Sequence, residues 1–359
     1  MKIPLFNPIF NKEMKEAALA ALENEFFVQG ESVKKFEEAF AKYIGTKYAV
    51  STSSGTNALF LSLAALEVKS QDRIITTPMS FIATSNAILH ANGLPVFSDI
   101  EEASGNINAN NIKITNEKGI IPVHLYGNPC DMDKILALKE SNKDFFVVED
   151  ACQAHGASYK GKKAGSIGDV GCFSFYSTKN MTVGGDGGMV TTTNEELASK
   201  IKKLTNCGRI SKYEHDIIGY TARLNTLNAA IGLVQLKYLD KWNEQRRAAA
   251  KIYKQNLPKE ILLKEYGDPS YYTFTIKAST NEQREKIMQT LTTNEIESGI
   301  YFPIPIHLQP VYKNLFNYKE GSFPITENFT KHILSIPIFP GITNDQIKLI
   351  CEKINEVLK

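Results

Sequence analysis

The chain has 359 residues, enough for one large domain and a smaller one, each with its own core. Hydrophobic content of 43% and charged content of 22% are those of an ordinary globular protein. The 41 Lys+Arg against 39 Asp+Glu leave a formal net charge of +2, too little to make nucleic acid or an anionic membrane the main partner. No run approaches the ~18 apolar residues of a membrane span, and the opening MKIPLFNPIFNKEMK has no long apolar stretch of the signal-peptide kind. Cys130, Cys152, Cys172, Cys207 and Cys351 are scattered without a CxxC pair. They predict reduced, mostly buried thiols in a cytoplasmic protein, with no disulfide framework and no metal site.

In chain order, residues 12–28 and 31–44 carry helical spacing, with Phe36, Phe40 and Tyr43 on one face of the second and Gly45 as its stop. A strand at Tyr48–Ser51 leads through Ser53-Ser54-Gly55-Thr56 into a helix ending at Leu66. Small hydroxylated residues at a helix start leave backbone N–H groups free at the positive end of the dipole, a seat for phosphate. The same residues also describe a plain N-cap. Strands and helices then alternate: Arg73–Thr77, helix 80–91, Pro95–Ile100, Gly119–Leu125, helix 131–141, Phe145–Ala151, Gly171–Tyr176 and Gly188–Thr193. The runs IITT, IIPVHL and FFVVEDA are almost continuously apolar, as in strands covered by helices on both faces, so the sheet is expected to be mostly parallel. Residues 224–256 read as helix, with a domain hinge near 243. Strand Tyr272–Lys277, helix 281–292 and helix 344–358 form a small α+β domain. The expected division is 1–243 and 244–359. The Pro-rich YFPIPIHLQP (301–310) is expected to loop back toward the first domain.

Three local features combine. Lys179 sits between two β-prone runs in GCFSFYSTKNMTVGGDGGMV, ahead of four glycines in positions 184–188. A loop-held lysine can be a nucleophile, although a solvated lysine beside a glycine hairpin has the same composition. FFVVED places Asp150 at the C-terminal end of a strand, the edge where open α/β sheets bind ligands, though a helix cap would also account for it. With the phosphate seat at 53–56, these are what pyridoxal 5′-phosphate (PLP) requires: a lysine for a Schiff base, an acid on the ring nitrogen and an anion site. At an effective dielectric of about 20, an ion pair about 4 Å apart is worth roughly 4 kcal/mol. That is about 3 pKa units, enough to keep the pyridine protonated near neutrality.

SSGTNALFLSLAAL, PMSFIATSNAI, PVFSDI, IIPVHLYGNPCDMDKI, VVEDACQAHGASYKGKKAGSIGD, FSFYSTKNMTVGGDGGMVTT, GYTARLNTLNAAIGLVQLKYLD and PIPIHLQP, in this order over residues 35–340, resemble the DegT/DnrJ/EryC1/StrS family of PLP-dependent sugar aminotransferases. The resemblance implies a fold type I α/β architecture. It implies Lys179 as the Schiff-base and proton-shuttling residue, Asp150 on the pyridinium nitrogen, Gln153 near the ring hydroxyl and Phe81 on the ring face. Gly55, Thr56 and Ser174 would hold the phosphate, and His307 would lie near the sugar unless it is a loop histidine bonded to backbone. It further implies a homodimer with active sites at the subunit interface, an amino-acid donor, most often L-glutamate, and a nucleotide-linked keto-sugar acceptor. Relatives carry asparagine for a cross-subunit phosphate contact where this chain has Thr221, in Gly219-Tyr220-Thr221-Ala222-Arg223, which leaves that contact unassigned. Arg209, Lys212, Tyr213 and His215 fall in a loop where relatives meet substrate. The alternatives are a keto-cyclitol aminotransferase, a sugar dehydratase (in which histidine replaces the lysine, intact here) and a regulatory protein. The last predicts a basic patch or helix-turn-helix, and neither is visible. VGGDGG matches neither nucleotide-binding glycine motif and leads into a strand.

Overall fold

The computed structural model describes residues 2–140, 142 and 144–359. Its centre is a seven-stranded sheet of β1 (Tyr48–Thr52), β2 (Arg73–Thr76), β3 (Leu94–Phe97), β4 (Glu117–Ile121), β5 (Phe146–Asp150), β8 (Val170–Ser174) and β9 (Gly188–Thr192). The short strands β6 (Ser158–Tyr159) and β7 (Lys162–Lys163) form a separate hairpin. The order across the sheet is β1-β9-β8-β5-β4-β2-β3. Pairings among β3, β2, β4, β5 and β8 are parallel, and β9 runs antiparallel to both its neighbours. Six strands therefore end on one edge, and β9 starts there.

The apolar runs alternate between two cores, as the period of two along a strand requires. Ile74, Ile121, Val148, Cys172 and Val190 meet helices α3 (Gly55–Ala65), α4 (Ala83–His90) and α6 (Glu195–Thr205) on one face. Their neighbours Ile75, Ile120 and Val147 join Ile135 of α5 (Met132–Glu140) on the other face. Phe173 and Met189 pack there with Phe36 and Phe40 of α2 (Glu31–Ile44) and Leu239 of α7 (Thr226–Asn256). Gly45 ends α2 at φ +89°, the left-handed cap expected of it.

A second core gathers Tyr253 of α7, the antiparallel pair β10 (Phe274–Lys277) and β11 (Ile333–Ile336), and helices α8 (Asn281–Thr293) and α11 (Asn344–Leu358). Ile3 also lies in this core, bridging to Ile296. Position 243, the expected hinge, falls inside the unbroken 31-residue α7, where Asn243 is fully buried. Helix α1 (Lys12–Asn24) stops short of residue 28, because the Glu25 carboxylate turns away to accept from Ser32 N–H and Oγ at the start of α2. The expected helix 131–141 ends on Ser141, outside the described residues. The returning loop does approach the sheet: Ile306 N–H donates to the Pro78 carbonyl at 2.9 Å. Helices α9 (Pro310–Phe316) and α10 (Pro324–His332) follow it. Among the described residues no helix is long and apolar enough to cross a membrane.

Candidate active site

A cleft of about 530 Å³ opens at the edge where the parallel strands end. Gly55, Thr56, Phe81, Asp150, Gln153, Ser174 and Lys179, drawn from separate parts of the sequence, all line it.

Each is positioned by local rules. Ser54 caps α3 by accepting from Asn57 N–H at 3.1 Å. The N–H groups of Gly55 and Thr56 have no intrahelical acceptor and are left to the cleft. The turn that caps the helix therefore also lines the cleft, since the cap occupies one donor and spares others. Glycine is required at 55 by close approach: a Cβ there would lie 2.6 Å from Ser174 Cβ. A Cβ at Gly188 would likewise lie 2.4 Å from the Ser54 carbonyl oxygen. The glycine run thus lets the Lys179 loop reach the sheet beside α3.

Asp150, at the end of β5, accepts from Thr84 Oγ1 at 2.7 Å and from Cys152 N–H at 3.2 Å. Gln153 Oε1 accepts from Tyr126 N–H at 2.9 Å, so its amide nitrogen is the end left to donate. Lys179 lies in the loop between β8 and β9, its backbone N–H closing a turn on the Tyr176 carbonyl. Its Nζ sits 4.3 Å from the centre of the Tyr272 ring, whose hydroxyl lies 3.0 Å from Thr178 Oγ1. Phe81 is 60% exposed and presents an uncovered ring face. Tyr301 and Phe302 also line the cleft, the Phe302 ring 6.4 Å from that of Phe81. Phe302 adopts φ +65°, a strained backbone for a bulky residue.

Beneath the cleft, Glu149 is fully buried and accepts from the N–H groups of Gly165, Ile167 and Gly168. His124 Nδ1 accepts from Cys130 N–H, so Nε2 carries the proton and donates to Glu149 Oε2 at 3.0 Å. His155, lodged against Phe173 and Phe175, has no side-chain partner for either ring nitrogen among the described residues, with the Ser174 backbone a polar neighbour. Burial first, and the Lys179 charge second, push its pKa down to about 3. Burial also raises the Cys152 thiol well above its ordinary value.

His307 is the exception among the expected site residues. It is fully buried outside the cleft, its ring packed edge-on against Phe323 and Tyr318, and its Nε2 pairs with Glu327 at 2.9 Å. Glu327 stands 20 residues further along the chain, beyond the reach of motif spacing. Arg209, Lys212, Tyr213 and His215 are exposed and do not line the cleft; Thr221 Oγ1 lies 3.3 Å from Cys207 Sγ. Motif spacing did not single out Ser80, Thr84, Tyr272, Tyr301 or Phe302. The signal was faint: Ser80 and Thr84 flank Phe81 in SFIAT, and Tyr272 closes an aromatic pair.

The sheet order, with one reversed strand and a cleft at the carboxyl edge, is that of the fold type I transferases that work with PLP. The chain belongs to the DegT/DnrJ/EryC1/StrS aminotransferase family, whose model matches residues 8–355. It is 36% identical to a UDP-N-acetyl-3-dehydro-alpha-D-glucosamine 3-aminotransferase of Acidithiobacillus ferrooxidans, over 94% of this chain and 91% of that one. It is 35% identical to the GDP-perosamine synthase of Escherichia coli O157:H7, over 99% and 98%. A Bacillus subtilis protein solved with bound cofactor PMP superposes with a TM-score of 0.88 at 30% identity, covering 97% of this chain and 83% of its own.

Proposed function

We propose that this protein is a PLP-dependent aminotransferase that carries an amino group from an amino acid, L-glutamate, to a nucleotide-linked keto-sugar. It works in two alternating half-reactions, as a cytoplasmic homodimer. The observation that carries this reading is the convergence of Lys179, Asp150, Phe81 and the open N-terminus of α3 on one cleft. UDP and GDP in the relatives' names support a nucleotide-linked acceptor. Phe26, Phe27, Tyr213 and Ile218, 68–88% exposed in the single chain, support a second copy that covers them.

The residues fit the coenzyme. Bound PLP supplies an electron sink for the charge left on an amino acid's Cα when its proton departs. Asp150 offers the ring nitrogen a buried carboxylate, and Phe81 a ring face. The N–H groups of Gly55 and Thr56, with the Ser174 hydroxyl, offer donors to a phosphate. Gln153, its oxygen taken by Tyr126 N–H, would offer its amide nitrogen as a donor to the ring hydroxyl. Lys179 would supply the amine that holds the coenzyme and would take up and return the substrate proton, a role worth about 10²–10⁴ in rate. The Tyr272 ring lies against that amine, a cation–π contact that steadies the side chain at the cleft.

The test uses half of the reaction. Cofactor-loaded protein mixed with L-glutamate, without sugar, should lose its yellow colour as the pyridoxamine form accumulates, and Lys179→Ala should not complete this change. A normal half-reaction in that variant contradicts the assignment. A screen of dTDP-, UDP- and GDP-linked keto-sugars then identifies the acceptor.

A further inference from the structure

We infer that Thr84, backed by Ser80, is a positioning residue that aims the Asp150 carboxylate at the coenzyme; this rests on the PLP reading above. Asp150, Thr84 and Ser80 are 4%, 1% and 3% exposed. Cys152 N–H holds Asp150 Oδ1, and Thr84 Oγ1 donates its one hydroxyl proton to Oδ2. That proton is then spent, so Ser80 is the donor in its 2.7 Å contact with Thr84 Oγ1. The hydrogen bonds run one way, from Ser80 through Thr84 to Asp150. A carboxylate held at both oxygens cannot rotate freely about its Cβ–Cγ bond, and its remaining lone pairs keep one direction.

The local fold ties this to the ring slot. Phe81 lies three residues before Thr84, where the chain enters α4, and both line the cleft. The same turn therefore supplies an aromatic ring face and fixes the acid. Neither hydroxyl reaches the coenzyme's reactive carbon in this account; both act through Asp150.

The test separates aim from mere support. Thr84→Val keeps the shape and deletes the donor. Affinity is measured for PLP and for an analogue whose ring nitrogen is replaced by C–H, which offers Asp150 nothing to grip. The expected result is about tenfold weaker PLP binding in Thr84→Val, affinity for the nitrogen-free analogue unchanged, and recovery in Thr84→Ser. Ser80→Ala should show a smaller loss with the same ligand dependence, and it decides the matter alone if Thr84→Val does not fold. Equal losses for both ligands, or none, overturn the inference while leaving the PLP reading intact. Wild-type protein that binds neither ligand ends both.

Discussion

Glu149 and Asp150 are adjacent acids on one strand, and the contrast between them shows how this molecule separates structure from chemistry. Successive side chains point to opposite faces of a sheet. Glu149 points where Val147 does, into the α5-side core, and three backbone N–H groups and His124 occupy its oxygens. Asp150 follows Val148 to the other face, takes two donors and lines the cleft. Two acids of near-identical burial, 0% and 4% exposed, thus meet different surroundings. The difference lies in how much hydrogen-bonding capacity each has left.

The contrast can be broken at either acid. Asp150→Asn should slow the glutamate half-reaction about 10³-fold, the rate equivalent of the roughly 4 kcal/mol ion pair, while the melting temperature barely moves. Unchanged single-turnover kinetics would remove Asp150 from its role. Glu149→Gln should do the reverse: it places an amide NH₂ against N–H donors and should cost about 3 kcal/mol of stability in chemical denaturation. Finding the two phenotypes exchanged would invert the comparison.

His155 sharpens it, as a buried ring with no side-chain hydrogen-bond partner among the described residues, a few residues beyond the strand. Its native pKa of about 3 lies below the ordinary 6.5, so between those values the unfolded chain takes up a proton that the native state refuses. Stability therefore falls as pH drops through this window, by up to about 1.4 kcal/mol per pH unit. His155→Leu should show a flatter dependence between pH 6.5 and 4.5 in denaturant titrations; identical slopes would refute the argument. The smallest effect is expected at the rim. Phe81→Ala should weaken PLP binding about fivefold, the equivalent of about 1 kcal/mol of stacking, without altering stability, because Phe81 is 60% exposed.

What could be read from the amino acids follows from whether the cause was local. Both-face burial of IITT and FFVVEDA, the glycine stop at 45 and the strand-end position of Asp150 are properties of a few neighbouring residues, and each was legible. So was the α3 turn, whose hydroxyls and glycine serve cap and cleft together. Distant partners were not. Glu25 ends α1 by reaching Ser32. Tyr272 and Tyr301 come to Lys179 across some hundred residues. Glu327 takes a histidine whose motif suggested substrate. The 195–205 helix went unread beside the glycine-rich loop.

The central claim is that Lys179 is the residue that carries the coenzyme. Borohydride reduction of PLP-loaded protein fixes the coenzyme to whichever amine holds it, and peptide mass mapping then locates the label. The expected result is one pyridoxyl group per chain, on the peptide containing Lys179. A label on another lysine, or none on protein saturated with PLP, would contradict the account.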